Sequence, residues 1–117
     1  MKYLCLIYDD ERNIEVMSDQ QKGALVDETV SLVEALRSSG HHLAAQRLQS
    51  VRAATTVRVR GGKLSVTDGP FAETKEQLGG FFMIEAGDME EAVGIAAKIP
   101  SARLGSIEVR PIMERHV

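Results

Sequence analysis

Apolar and polar positions change their period several times along this chain, and each period predicts one element. Apolar residues fill both alternating sets of residues 3–8, which is typical of a strand covered on two sides. Residues 9–17 are polar and irregular, and Ser18 with Gln21 then has the spacing of a capping box that begins a helix. Gly40 is predicted to end this helix in a left-handed conformation. The apolar stripe of the helix comprises Leu25, Val26, Val30, Leu32, Val33 and Leu36.

The middle of the chain predicts a β-hairpin. Residues 42–49 and 55–60 have extended patterns, and Gly61-Gly62 is a two-residue turn signal. Pairing of Arg60 with Lys63 makes one face of the hairpin wholly apolar. The second hairpin strand closes at the turn Asp68-Gly69-Pro70-Phe71, where Phe71 is predicted to anchor in the core. A short helical stretch is expected over residues 73–78. The apolar face would comprise Val57, Val59, Leu64 and Val66.

The last third of the chain predicts a strand, a helix and a closing strand. Gly79-Gly80 leads into a strand over residues 81–85, and Asp88 with Glu91 has the spacing of a second capping box. Pro100 is expected to stop the helix, and residues 106–111 form the final strand. The order β-α-β-β-β-α-β indicates an α+β domain of the split βαβ type with an added hairpin. The second helical stripe comprises Met89, Ala92, Val93, Ile95, Ala96 and Ile99.

Length and composition fit one soluble domain over residues 1–117. The apolar start at residues 3–8 is too short for a signal sequence or a membrane span. A single cysteine excludes an intrachain disulfide. Together these features predict a cytoplasmic location. The net charge of −3 and the lack of tryptophan argue against nucleic acid as a partner. Weak nucleic-acid binding through Arg58, Arg60 and Lys63 is the least favoured function.

The predicted sheet carries both helices on one face, and its second face is open. That face would hold apolar residues of the first strand beside Glu108 and Arg110, which lie two apart and therefore on the same side of the last strand. Two such faces can meet in a symmetric pair and enclose a partly polar cavity. The pattern therefore predicts a homodimer.

Three segments of the sequence resemble a known family. The run from Val66 to Phe81, which contains the Asp68-Gly69-Pro70-Phe71 turn, is similar to the DGPF-domain proteins of the YCII-related family. Residues 55–58 and 105–111 resemble the same family at the hairpin entry and the closing strand. The resemblance implies a ferredoxin-like α+β fold that assembles as a dimeric α/β barrel. His41-His42 and Gln46-Arg47 depart from the family pattern, which tends to have an acidic residue near position 46.

The resemblance also frames two kinds of function. Relatives in the wider group are suspected small-molecule enzymes because a histidine and an aspartate meet in a cleft. DGPF members often occur near extracytoplasmic-function sigma factors. The leading hypothesis is a small organic molecule bound in a dimer cavity, with acid–base chemistry of the lyase or hydrolase type. The alternative is a non-catalytic regulatory or interaction protein linked to the sigma-factor pathway.

Asp68 and His42 are the candidate catalytic residues. A carboxylate on a rigid turn can act as a general base or orient a histidine, and it can equally be a turn carboxylate with only a local role. His42 can supply the histidine that pairs with Asp68, or it can be a solvated residue at the start of a strand.

Arg47, Glu108 and Arg110 are the candidate substrate-binding residues. Glu108 and Arg110 can bind a carboxylate or polarise a carbonyl inside a dimer cavity, or they can form an ion pair. Arg47 can join either arrangement.

Metal and nucleotide sites are not expected. His41 and His42 would point to opposite faces of a strand, and no ligand stands at suitable spacing from either. His116 falls in a terminal tail, and Cys5 is predicted to be a buried, inert thiol. No phosphate-binding or dinucleotide-binding glycine motif is present, so no cofactor is expected.

Overall fold

The computed structural model describes residues 1–114. His116 lies outside these described residues. Two short 3₁₀ turns, Val51–Ala53 and Pro100–Arg103, follow the second strand and the last helix. The strands and helices in chain order are β1 (Lys2–Asp9), α1 (Glu11–Glu15), α2 (Asp19–Ser38), β2 (His42–Arg47), β3 (Thr55–Arg60), β4 (Lys63–Asp68), β5 (Gln77–Glu85), α3 (Met89–Ala96) and β6 (Ser106–Pro111).

Four strands form one antiparallel sheet in the order β2-β5-β1-β6. With β3 and β4 set aside, the chain runs β1-α2-β2-β5-α3-β6, and this connectivity and sheet order are those of the ferredoxin-like split βαβ arrangement. The α+β class and the added hairpin predicted from the sequence are confirmed.

The core lies between the sheet and the two longer helices. Alternate residues of β1 and β5 point at α2 and α3, because successive side chains of a strand face opposite sides. Within the described residues, no helix combines the length and the apolar character needed to cross a membrane. The buried core comprises Tyr3, Cys5, Leu32, Leu36, Phe82, Ile84, Ala86, Ala92, Ile95, Ala96 and Ile99.

Local signals in the sequence set the ends of α2. The Ser18 hydroxyl accepts a hydrogen bond from the Gln21 backbone N–H, and the Gln21 side chain accepts one from the Ser18 N–H, which completes the predicted capping box. Gly40 has a φ of 82°, as predicted for the left-handed residue that follows the helix. Only part of the predicted stripe is buried, since Val26 and Val30 are exposed.

Strands β3 and β4 form a separate hairpin, which we call the arm (residues 55–68). Its register is the predicted one, with Arg60 opposite Lys63 and Val59 opposite Leu64. The arm is a two-stranded sheet of its own, and every residue of β4 is exposed. The chain has a radius of gyration of 16.1 Å, compared with about 13 Å for a compact domain of this length, because the arm projects from the body.

Three local predictions were wrong. Phe71 is 77% exposed, because its turn lies at the base of the projecting arm and not over the core. Residues 73–76 are not helical and β5 begins at Gln77, since Gly79 and Gly80 continue the strand and do not precede it. Residues 11–15 form a short helix, which Asp10 caps by accepting a hydrogen bond from the Arg12 N–H.

Candidate functional site

A groove of about 510 Å³ lies between α2 and the covered face of the sheet. It exists because α2 contacts the sheet mainly through its C-terminal half, where Leu32 and Leu36 are buried, whereas Val26 and Val30 nearer its start stay exposed. The volume suits a small organic molecule. Its apolar lining includes Ile7, Leu25, Val26, Val30, Val33 and Phe82.

The Asp9 carboxylate lies in this apolar groove. Asp9 is the last residue of β1, lies opposite Gln77 of β5 and is only 8% exposed. Within residues 1–114 the Asp9 carboxylate accepts no hydrogen bond. Every fully enclosed side-chain oxygen in this part of the chain has a partner, so the Asp9 oxygens are not fully enclosed. Its oxygens are therefore open to the groove, where a bound molecule can reach them. The burial of the residue still disfavours its charged form and raises its pKa, which makes Asp9 a candidate functional group.

The pKa values of Asp9 and its neighbour Asp10 are shifted in opposite directions. Burial raises the pKa of Asp9, nearby Glu11, Glu76 and Asp10 add to this rise, and Arg47 opposes it. The Arg12 guanidinium hydrogen-bonds Asp10 at 3.0 and 3.2 Å and lowers the pKa of that carboxyl. Asp10 caps α1, is held by Arg12 and does not line the groove. Asp9 is the member suited to exchanging a proton with a ligand.

Two glycines of β5 make room for this site. A register shift in the pairing of β1 with β5 falls between Ile7 and Tyr8, and it places Gly79 next to the Asp9 carboxylate. A Cβ on Gly80 would stand 2.8 Å from the backbone oxygen of Gln46, so only glycine allows β2 to approach this closely. Arg47, opposite Gly80, is thereby brought to the groove.

A network of charged side chains lies beside α1 and joins it to the segment that enters the arm. Glu11 accepts hydrogen bonds from the Ser50 hydroxyl and the Val51 N–H, both at 2.8 Å. Arg52 donates to Glu15 at 2.6 Å. These acidic groups already accept hydrogen bonds from protein donors, so the network fixes the base of the arm. The Asp9 carboxylate accepts none and is the better candidate for binding a ligand.

Asp68 and His42 belong to different sheets, and no hydrogen bond or ion pair among residues 1–114 joins them. Asp68 is exposed at the end of β4, opposite Thr55. His42 is half-buried at the start of β2. Its neighbour His41 contacts Ser39 at 2.6 Å and Glu91 at 3.3 Å.

The three predicted substrate-binding residues lie on two faces of the sheet. Arg47 is on the groove side of the sheet. Gly80, which pairs with Ile7, and Ala45, which pairs with Phe82, lie on the same side. Glu108 and Arg110 are on the open face, opposite Leu6 and Leu4, and form an ion pair at 2.9 Å. Among the described residues, no three histidine, cysteine or acidic side chains are grouped so as to hold a metal ion.

Sequence reasoning missed Asp9, which it placed in an irregular polar segment. The signal was nonetheless in the period of β1, because Tyr3, Cys5 and Ile7 point into the core and Asp9 is next in the same alternation. A carboxylate that continues a buried set of positions indicates a polar group inside the fold.

The fold and the groove define a small ferredoxin-like α+β domain with an inserted arm. The chain matches the model of the YCII-related domain over residues 1–116. It is 35% identical to an uncharacterized protein of Rhizobium meliloti (strain 1021) over 114 residues, which are 96% of this chain and 92% of that relative. The chain therefore belongs to the YCII-related family, as the DGPF motif indicated. The family and this relative assign no activity.

Proposed function

We propose that this protein binds a small organic molecule in the groove beneath α2 and exchanges a proton with it through Asp9. The observation that carries the proposal is the Asp9 carboxylate, which is 8% exposed, has no hydrogen-bond partner among the described residues and lies in an apolar groove of about 510 Å³. The groove accepts the apolar body of the ligand, and Asp9 selects a ligand with a hydroxyl or amine group at that depth.

Arg47 and Lys22 give the ligand a second polar contact. Both side chains line the groove, and Arg47 is close enough to Asp9 to oppose the rise of its pKa. A carboxylate on the ligand would pair with one of these cations while its hydroxyl donates to Asp9. With its raised pKa, Asp9 can act as a general acid or base at a pH closer to neutrality than an ordinary aspartate. This chemistry fits a lyase or a hydrolase.

A homodimer is the assembly that we propose for this domain. The open face of the sheet carries Leu4, Leu6, Phe81 and Met83 in adjacent positions, and the buried core lies on the other face. The Glu108–Arg110 pair lies beside this apolar cluster and would line a cavity between two facing sheets. This cavity is the second candidate ligand site.

The two candidate sites can be separated by nuclear magnetic resonance. The probe is 3-hydroxybenzoate, whose ring, hydroxyl and carboxylate match the groove, Asp9 and Arg47. We expect amide shifts around Ala45, Gly79 and Gly80 on titration into the full chain. We expect Asp9→Ala to weaken binding at least about tenfold, since a hydrogen bond to a charged group is lost. Asp27→Ala, on the exposed side of α2, is the matched control and should bind like the wild type.

The outcomes are distinct. Shifts confined to Leu6, Phe81 and Glu108 would move the ligand to the open face and overturn the role of Asp9. Equal affinity in the Asp9→Ala variant and the wild type would also overturn it. Saturable shifts around Gly79 that the Asp9→Ala variant loses would support the proposal.

A further inference from the structure

The charged side chains of the groove beneath α2 gather at one of its ends. Among the described residues, those that line it are Asp9, Lys22 and Arg47. Strands β1 and β2 both pair antiparallel with β5 and so run in the same direction, which brings their last residues, Asp9 and Arg47, to one end of the sheet. Helix α2 connects the end of β1 to the start of β2, so it begins at that end, where it carries Lys22.

The other end of the groove is apolar and closed. Farther along α2 the lining residues are Val30 and Val33, and Phe82 lines the groove from the sheet. Beyond them Leu36 of α2 is buried in the core, which closes the groove. The Thr29 hydroxyl on this stretch donates to a backbone carbonyl of its own helix at 2.8 Å, so its hydrogen is already used. A molecule that fills the groove therefore needs a polar head and an apolar tail.

From this segregation we infer that the ligand is a hydroxy acid with a medium-length aliphatic chain. Its hydroxyl donates to Asp9, its carboxylate pairs with Arg47 or Lys22, and its chain lies beneath α2 and ends near Val33. The helix rises about 16 Å from Lys22 to Val33, which is longer than an extended eight-carbon chain. A compact ring would fill only the charged end. The inference rests on the proposed function and adds the class of ligand to it.

A series of ligands of increasing chain length tests this inference. Val26 and Val30, which line the groove, are 57% and 51% exposed, and an aliphatic chain would cover them. The series is 3-hydroxybutanoate, 3-hydroxyhexanoate and 3-hydroxyoctanoate, titrated into the full chain and followed by nuclear magnetic resonance. We expect the dissociation constant to fall about fifteenfold at each step, because each buried methylene strengthens binding about fourfold. The amide shifts should extend toward Val33 and Phe82 as the chain lengthens.

Two adjacent substitutions in α2 test the path of the chain. Val30→Asp places a carboxylate in the lining of the groove, whereas Ser31→Asp places the same charge outside the lining. Both positions are exposed, so neither change should unfold the protein, and circular dichroism checks this. We expect Val30→Asp to weaken binding of 3-hydroxyoctanoate at least about tenfold, since its chain would lie against a charge. Ser31→Asp should bind this acid like the wild type.

The short acid separates a blocked chain from a damaged site. Position 30 lies about 12 Å along the helix from Lys22, farther than charges act strongly in salt, so Val30→Asp should bind 3-hydroxybutanoate within about twofold of the wild type. Equal loss of both acids in Val30→Asp, or an unchanged affinity for 3-hydroxyoctanoate, would overturn the inferred path.

The chain and the head group can fail separately. Equal affinities for the three acids, or shifts that spread over Leu4 and Met83 of the open face as the chain lengthens, would overturn the aliphatic ligand. The proposed function would still stand if the Asp9→Ala variant loses 3-hydroxybenzoate. Failure of the wild type to bind 3-hydroxybenzoate and all three acids would overturn both.

Discussion

An oxygen of the Asp9 carboxylate lies 3.1 Å from the position that a Cβ on Gly79 would occupy. This is closer than an ordinary van der Waals contact, so a side chain at position 79 and the carboxylate compete for the same space. Gly79 is therefore part of the proposed ligand site even though it has no functional group of its own. Its backbone also accepts a hydrogen bond from the Leu48 N–H, which ties the end of β2 to the same point.

Gly79→Ala should weaken ligand binding more than it weakens the fold. The added methyl displaces the Asp9 carboxylate by a few tenths of an ångström, and we expect the dissociation constant of 3-hydroxybenzoate to rise several-fold in a titration. Gly94→Ala is the control, because nothing lies within 4 Å of a Cβ at this exposed position of α3. Gly94→Ala should stabilise the fold by about 0.5–1 kcal/mol and leave binding unchanged.

Gly80→Ala should have the opposite profile and destabilise the protein. Its Cβ would meet the Gln46 backbone oxygen at 2.8 Å, and a strand backbone cannot move away as a side chain can. We expect a loss of about 1–3 kcal/mol in urea unfolding. A stability equal to that of the wild type would show that β2 shifts freely along β5, contrary to the close approach described above.

Asp9→Asn should stabilise the protein at neutral pH. The raised pKa means that folded Asp9 holds its proton more tightly than the unfolded chain, whose carboxyl has the ordinary value of 3.8. The contribution of Asp9 to stability is therefore fully present below this pH and is lost as the pH rises through the raised pKa. We expect the variant to exceed the wild type by about 1 kcal/mol at pH 7 and the difference to shrink toward pH 3.

This pH dependence is measured by urea unfolding of both proteins across pH 3–8. The difference between the two curves isolates Asp9, because the other carboxyl groups are common to both. Asp27→Asn serves as the control, since Asp27 lies on the exposed side of α2. A variant that is less stable than the wild type at pH 7 would mean that the Asp9 carboxylate has a favourable partner in the folded chain.

Cys5 should resist alkylation until the protein unfolds. The thiol is completely buried in β1, and burial raises its pKa to about 11. At pH 8 the reactive thiolate is scarce, so we expect iodoacetamide to modify native Cys5 at least about a hundredfold more slowly than the unfolded chain. Rapid labelling without denaturant, followed by mass spectrometry, would instead reveal local opening of the sheet.

Ser18→Ala should cost about 1 kcal/mol of stability. It removes the hydroxyl that accepts from the Gln21 N–H at 3.1 Å and breaks one half of the capping box. Ser31→Ala is a matched change at an exposed position inside the same helix, where alanine has the better helix propensity, and should be neutral or slightly stabilising. Thermal unfolding followed by circular dichroism measures both.

Several features that depend on neighbouring residues were predicted from the sequence, whereas the exposure of Phe71 and the groove at Asp9 depend on distant residues and were missed. Gly61-Gly62 set the arm register, and Ser18 with Gln21 set the start of α2, because both signals act over two to four residues. The burial of Phe71 depends on where the whole arm points, which local composition does not contain. Asp9 combines both cases. The direction of its side chain follows from the alternation of β1, whereas the groove that surrounds it exists only once α2 has packed on the sheet.

The position of β1 has a consequence for the order in which the chain folds. This first strand lies inside the sheet, and both of its edges pair with β5 and β6, whose residues follow it by more than sixty positions. Closing such long loops is slow compared with forming a hairpin. The arm and α2 can therefore form early from local contacts, whereas β1 remains unpaired during synthesis until the later strands emerge. The apolar N-terminal segment is thus the part of the nascent chain most exposed to misassociation.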